Sequence, residues 1–211
     1  MLFRSRASAT ALTEGDVDKA VEIAERIDDL RERKIQTSLV LYQFASRQLK
    51  ETNAERAYQY AQRIEFTPQR VAIVRKIAQK LWDGKQPERA RAVLEELWAW
   101  LGKADNTASK TDAMFAVTGT MVQFDRGRAF ALLEGAISAL NKTDFSYVPP
   151  PSDQISVEVQ ITPDMLDLDT SVSVLARDDF ERTYALTGLI TRPELSLFAQ
   201  VLVCQQMLAS R

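Results

Sequence analysis

The sequence contains no histidine and only one cysteine among its 211 residues. The lack of histidine excludes Ser-His-Asp and Cys-His catalysis, histidine-ligated haem and nearly all catalytic zinc sites. The lone Cys204 excludes an intramolecular disulfide and any cysteine-based zinc site. Because it lies within the apolar stretch FAQVLVCQQML, it is predicted to be a buried structural thiol. We therefore expect no catalytic residues, no metal, no cofactor and no enzymatic activity.

Glycine, proline and long apolar runs are also scarce. Seven glycines and seven prolines argue against a loop-rich β-sandwich and favour helices. No apolar run approaches the roughly 18–20 residues needed to span a bilayer, so we expect a soluble protein with no membrane partner. Residues 1–13 lack the apolar core of a signal peptide. We expect a cytoplasmic location, whereas a leader upstream of Met1 would indicate a secreted or periplasmic protein.

Five segments share one amphipathic pattern, at 15–27, 53–64, 86–97, 125–136 and 179–190. A small residue, here called the anchor, recurs in each copy: Ala20, Ala57, Ala90, Ala129 and Thr183. A basic residue stands before each anchor, and we call these five the basic ladder: Lys19, Arg56, Arg89, Arg128 and Arg182. The first anchor spacings of 37, 33 and 39 residues match one helix pair per repeat and predict a solenoid.

The segment GDVDKAVEIAERI resembles the second helix of a tetratricopeptide repeat. That family also has a small residue twelve positions before the anchor, and Ala45 and Ala78 stand twelve positions before Ala57 and Ala90. The resemblance covers roughly 15–140 and 167–210, although the first-helix tryptophan of the family is missing and the repeat length varies. It implies an all-α fold, a right-handed α-solenoid of antiparallel helix pairs, whose first helices line a peptide-binding groove.

The repeat is interrupted between the fourth and fifth anchors, which are 54 residues apart. Apolar residues alternate with polar ones at 155–161 and predict a strand, within a short extended or β insertion near 145–162. This strand would pair either with 145–148 in a local hairpin or with another chain. The predicted organisation is an N-terminal edge segment (1–14), helical repeats (15–140), a proline-rich β insertion (141–166), and a C-terminal repeat with a capping helix (167–211).

The resemblance also implies which side chains line the groove. Counting back from the second, third and fourth anchors gives the predicted partner-binding residues: Tyr42, Arg75, Gln79, Trp82, Met114 and Thr118. Aromatic, arginine, amide and methionine side chains suit a peptide groove. We expect a protein or peptide partner, or a second copy of this chain in a homo-oligomer. The function expected is that of a non-enzymatic interaction module or scaffold. Trp98 and Trp100, two residues apart on one helix, are predicted to pack in the core.

The net charge of −2 conceals an asymmetry. Residues 19–91 hold 16 Lys/Arg against 10 Asp/Glu, whereas residues 141–181 hold 2 against 9. The basic ladder could track a polyanion such as nucleic acid, but the favoured interpretation is that its members pair with acids of their own or the next helix. A third alternative, an enzyme using carboxylates alone, needs two acids about 5–10 Å apart in one cleft.

Overall fold

The computed structural model describes residues 16–143 and 168–209, and the described residues contain helices and no strand. This confirms the all-α prediction. The N-terminal segment 1–14 and the predicted strand 155–161, with both of its pairing alternatives, lie outside the described residues. The helices are α1 (Val17–Glu25), α2 (Leu30–Lys50), α3 (Ala54–Gln62), α4 (Thr67–Asp83), α5 (Pro87–Gly102), α6 (Ala108–Met121), α7 (Arg126–Lys142), α8 (Leu168–Asp178), α9 (Phe180–Thr187) and α10 (Pro193–Ala209).

Four of the five repeated helices begin with the same cap. In α1, α3, α7 and α9, a side-chain oxygen directly before the helix accepts a hydrogen bond of 2.9–3.0 Å from the backbone N–H of the ladder residue. The capping residues are Asp16, Asn53, Asp125 and Asp179. Such caps satisfy N–H groups that the first helical turn leaves unpaired.

Two first helices end in the same left-handed turn. Thr52 after α2 has a φ of 64°, and Lys85 after α4 has a φ of 61°. The next backbone N–H reaches back to the helix in each case, from Asn53 to the Gln48 carbonyl and from Gln86 to the Leu81 carbonyl, both at 2.9 Å. These are Schellman motifs, which usually place glycine at the left-handed position.

The chain forms two compact units, Met1–Leu97 and Trp98–Arg211. In unit 1, Ser38 of α2 accepts a hydrogen bond from the N–H of Phe66 (3.1 Å), and Tyr42 of α2 accepts one from Lys76 of α4 (3.0 Å). The contact further along α2 is also the one further along the chain towards the end of α4, so α2 and α4 run in the same direction. Short links reverse the chain between consecutive helices, and the helix-pair prediction is therefore confirmed.

Small residues lie in the core between the packed helices of unit 1. The anchors Ala57 and Ala90 and their first-helix counterparts Ala45 and Ala78 are all completely buried. A larger side chain at these positions would hold the helix axes apart, since close packing leaves no spare volume in a protein core.

In unit 2, α6 is buried on nearly all sides and α7 packs against it. The two helices are joined by a buried hydroxyl pair, Thr111 and Thr143, at 2.8 Å. Arg126 at the start of α7 pairs with Asp178, the last residue of α8, two positions before α9 begins. At the other end of α7, Asn141 donates to the carbonyl of Leu189, which follows α9 (2.8 Å). The second helices α7 and α9 thus run in the same direction, as the repeat predicts.

Three residues depart from the predicted core positions. Trp98 and Trp100 are both only half-buried. Trp98 lies against Gly135, where a Cβ would come within 2.8 Å of its Cζ2 atom, so the glycine permits this close approach. Cys204 is exposed, which corrects the prediction of a buried thiol. Because α10 is apolar nearly all round, its sequence did not indicate which face packs inward.

Candidate functional site

The candidate surface of unit 1, here called the α2/α4 face, consists of Tyr42, Arg75, Gln79 and Trp82. The last three stand at i, i+4 and i+7 on α4, which places them on one side of that helix. Tyr42 lies on the neighbouring helix α2, which packs against α4. All four side chains are half-buried, so part of each is open to solvent.

Charge and aromatic groups meet on this face. The Lys76 ammonium donates to the Tyr42 hydroxyl at 3.0 Å and lies 5.6 Å from the centre of its ring. Gln79 donates to the Asp83 carboxylate at 2.9 Å. Aromatic rings beside cations and an amide can bind a peptide by burying an apolar side chain and pairing an acidic one. Lys76 was missed from the sequence because it lies outside the groove positions of the repeat.

Met114 and Thr118 do not contribute to this surface. Both are buried within unit 2, and the Thr118 hydroxyl donates to the Met114 carbonyl at 2.9 Å within α6. Their burial removes them from the set of side chains that a partner could touch, because α6 is covered on the side where a regular repeat would leave it open. The candidate surface therefore rests on the four residues of α2 and α4.

Arg89 of the basic ladder makes contacts between repeats. The Arg89 guanidinium of α5 binds both oxygens of Glu55 at the start of α3, at 2.8 and 3.0 Å, and reaches Glu96 at 3.3 Å. It also lies 5.0 Å from the ring centre of Tyr58. The hydrogen bond from Arg89 lowers the pKa of Glu55 below its usual range. Burial, together with the hydrogen bond to Glu96, raises the pKa of Tyr58 above its usual range.

The same stacking occurs at a second position of the ladder. Arg182 of α9 lies 4.3 Å from the ring centre of Phe130 on α7. Tyr58 and Phe130 each stand one residue after the anchor of their own repeat. An arginine before one anchor thus stacks on an aromatic residue after the previous anchor. That pairing could have been found in the sequence by comparing adjacent repeats.

Other cations of 19–91 also have carboxylate partners. Exposed ion pairs in this range include Arg26–Glu22, Lys34–Glu65 (3.8 Å), Arg47–Glu51 (3.3 Å), Arg63–Asp18 (3.8 Å) and Arg91–Glu88. Among the ladder residues, Arg89 pairs with the carboxylates of Glu55 and Glu96, as the favoured interpretation predicts. Pairing reduces the positive potential that the region presents to a polyanion.

Unit 1 also contains a cleft of about 280 Å³, bordered by Leu30, Arg33, Lys34, Thr37 and Arg63 among others. This is below the roughly 300–1,000 Å³ of typical small-molecule sites. Within the described ranges, no cluster of acidic, cysteine or histidine side chains could hold a metal ion. None of the helices described is both long and apolar enough to cross a membrane.

Comparison with known proteins leaves the family open. Neither a family model nor a curated protein matches the sequence. Two matching solved structures are of a Podosopora anserina kinesin light chain with nearly identical TPR-like repeats, one of them a variant. They are 15% and 16% identical, cover 99% and 98% of this chain and 95% and 94% of theirs, and have TM-scores of 0.39 and 0.40. At these scores, the repeat architecture rests on the helix pairs themselves.

Proposed function

We propose that this chain is a non-enzymatic helical-repeat interaction module that binds a protein or peptide through the α2/α4 face, in the cytoplasm. The observation that carries the proposal is the contact of Lys76 with half-buried Tyr42 across two packed first helices, the second of which also carries half-buried Arg75 and Trp82. Tryptophan, tyrosine and arginine are the residues that most often contribute binding energy in protein interfaces. The two cations favour a segment that combines an acidic residue with an apolar one.

The polyanion alternative receives less support. Arg89 and Arg91 bind carboxylates, and a nucleic-acid groove would need unneutralised cations along its length with aromatic platforms between them. Tyr58 is buried at 5% exposure beneath Arg89, so its ring is unavailable for stacking on a base. The carboxylate-only enzyme has weaker support still. Glu55 and Glu96 lie together, but both bind Arg89, and the pKa of Glu55 is lowered rather than raised as a general acid requires.

Peptide selection followed by titration tests the proposal. Peptides selected from a random display library against the full chain would be synthesised, and their Kd measured by calorimetry. We expect Trp82→Ala and Arg75→Glu each to weaken binding about tenfold or more, which corresponds to about 1.4 kcal/mol at an interface anchor.

Two matched variants serve as controls, namely Trp100→Ala, at another half-buried tryptophan, and Arg47→Glu, at an exposed arginine of α2. Equal losses in the α2/α4 variants and the controls would show that the peptides bind elsewhere. A titration with oligo-dT at several salt concentrations tests the polyanion alternative, since phosphate contacts weaken steeply with salt. Tight, salt-dependent binding that survives Trp82→Ala would favour that alternative.

A further inference from the structure

The C-terminal helix α10 has two apolar faces. One packs against α8 and α9 through Leu195, Ala199, Leu202 and Val203, which are buried. Only one of its residues, Glu194, is charged. An amphipathic helix that covers the end of a repeat array is expected to carry polar residues on its outer face.

The outer face instead carries an apolar stripe, formed by Leu197, Val201, Cys204 and Leu208. Leu197, Val201 and Leu208 are 64%, 45% and 71% exposed, and Cys204 is also exposed. Spacings of four, three and four residues place all four side chains along one line of the helix, as at the a and d positions of a coiled coil. The face is therefore suited to packing against another helix.

Exposed apolar residues are concentrated at this end of the chain. Among the described residues, six of the nine large exposed hydrophobic side chains belong to α9, to α10 or to the link between them: Tyr184, Leu189, Leu197, Val201, Met207 and Leu208. Contiguous apolar surface of this kind on a monomer usually marks an interface.

The pattern of the stripe indicates which partner would fit. Its spacing reads the same from either end, so two copies of α10 placed antiparallel bring Leu197 of one opposite Leu208 of the other, and Val201 opposite Cys204. The stripe is uncharged, which removes like-charge repulsion from such a pairing. A twofold axis requires self-complementarity of this kind.

The area that the helix offers sets the strength of the association. If a large side chain has a full surface of about 200 Å², the exposed parts of the stripe and Met207 amount to roughly 500 Å² per copy. Standard interfaces bury about 800 Å² per partner. We therefore expect a weak dimer rather than an obligate one.

We propose that the apolar stripe of α10 is a homodimer interface in which two copies of this helix pack antiparallel. The inference rests on the proposed function and deepens it, because it names a second copy of the chain as one partner of the interaction module. That partner would bind a surface other than the α2/α4 face. Because the stripe lies in unit 2 and the α2/α4 face in unit 1, variants of the stripe leave the peptide titration unaffected, and the two proposals can fail separately.

Sedimentation velocity of the full chain from about 1 to 200 µM, the range that brackets a micromolar Kd, tests the proposal. We expect a monomer–dimer equilibrium in the wild type and at least tenfold weaker association in Leu197→Glu. The matched control is Leu30→Glu, which changes a 74% exposed leucine of unit 1 and should associate like the wild type. Both positions are exposed, so both variants should fold, and thermal melting followed by circular dichroism verifies this.

The orientation is tested with Val201→Cys, which keeps the natural Cys204. Antiparallel packing places the introduced thiol near Cys204 of the other copy. Oxidation should therefore give an intermolecular disulfide between positions 201 and 204, identified by peptide mapping. Predominant bonds between the two copies of Cys204 in the oxidised Val201→Cys variant would overturn the antiparallel arrangement.

A wild type that is monomeric at every concentration would overturn the interface itself. So would equal weakening by the two glutamate variants. A chain that dimerises only after deletion of residues 144–167 would show that the stripe is covered within its own chain, which also overturns the proposal.

Discussion

The contact that joins the second and third repeats can be tested by removing Arg89. Its guanidinium binds both carboxylate oxygens of Glu55 and covers the ring of Tyr58 at 5.0 Å. Arg89→Ala deletes both contacts, together with the longer one to Glu96 at 3.3 Å, and leaves the helix otherwise undisturbed, because arginine and alanine both have high helix propensity.

The size of the loss follows from the two contacts. An exposed cation–π contact stabilises by about 0.5–1 kcal/mol. An ion pair whose partners are 34% and 57% exposed contributes on the order of 0.2–1 kcal/mol after screening by solvent. We therefore expect Arg89→Ala to lower the free energy of unfolding by about 1–2 kcal/mol. Arg89→Lys should fall between the alanine variant and the wild type, since lysine keeps the charge but cannot form the two-pronged contact.

Urea unfolding followed by circular dichroism measures this loss, and Arg91→Ala is the matched control. Arg91 is on the same helix with 35% exposure, and it binds Glu88 of its own helix, a pair worth about 0.3–0.5 kcal/mol. Hydrogen exchange at the start of α3 and α5 would locate the effect if unit 1 and unit 2 unfold separately. A loss for Arg89→Ala no larger than that for Arg91→Ala would refute the idea that the basic ladder fastens one repeat to the next.

Three further predictions concern single residues. Arg89 lowers the pKa of Glu55, so the stability that their ion pair contributes is present above the usual glutamate pKa of about 4.3 and is lost as pH falls through the lower folded value. The loss of unfolding free energy caused by Arg89→Ala should therefore shrink between pH 7 and pH 3. A loss that stays constant over this range would contradict the prediction. Thr52→Gly should raise the free energy of unfolding, measured in urea, by about 0.5–1 kcal/mol, because a φ of 64° strains a β-branched residue and glycine relieves this strain. A lower unfolding free energy in the glycine variant would contradict this prediction. Thr143→Val should lower the unfolding free energy by about 1–3 kcal/mol, measured by thermal unfolding, because it leaves the Thr111 hydroxyl buried without its acceptor. Adding Thr111→Val should restore part of this loss. If the losses of the two single variants simply add in the double variant, the two hydroxyls do not stabilise each other.

Local signals in the sequence predicted the helices closely. The repeated segments that begin at 53, 86, 125 and 179 predicted the starts of α3, α5, α7 and α9 to within one residue. This succeeded because capping and apolar periodicity act within about one turn of helix and need no knowledge of distant residues. The turn after α4 shows the limit of such signals. Asp83-Gly84 indicates a glycine turn, yet the positive φ is at Lys85, because the helix extends one residue further before the chain reverses.

The candidate surface was less predictable than the helices. Counting back from the anchors identified three side chains on one face of α4 and one on α2, and the structure leaves Tyr42, Arg75, Gln79 and Trp82 half-buried. The same rule applied to α6 selected Met114 and Thr118, which are buried. Helical spacing predicts the direction in which a side chain points, but whether another helix covers it depends on packing between residues far apart in the sequence.

The sequence by itself determined the all-α fold, the division into helix pairs and the small residues that the core buries, because each follows from periodicity and from volume at a single position. Only the tertiary structure decided which basic residues pair with carboxylates and which face of α10 is left open. It also decided that Arg89 and Arg182 stack on aromatic rings of the preceding repeat. Those features depend on distances between side chains some 30 to 50 positions apart. A nearly uniform apolar helix such as α10 can bury either face, and only its neighbours α8 and α9 determine that Cys204 faces outward.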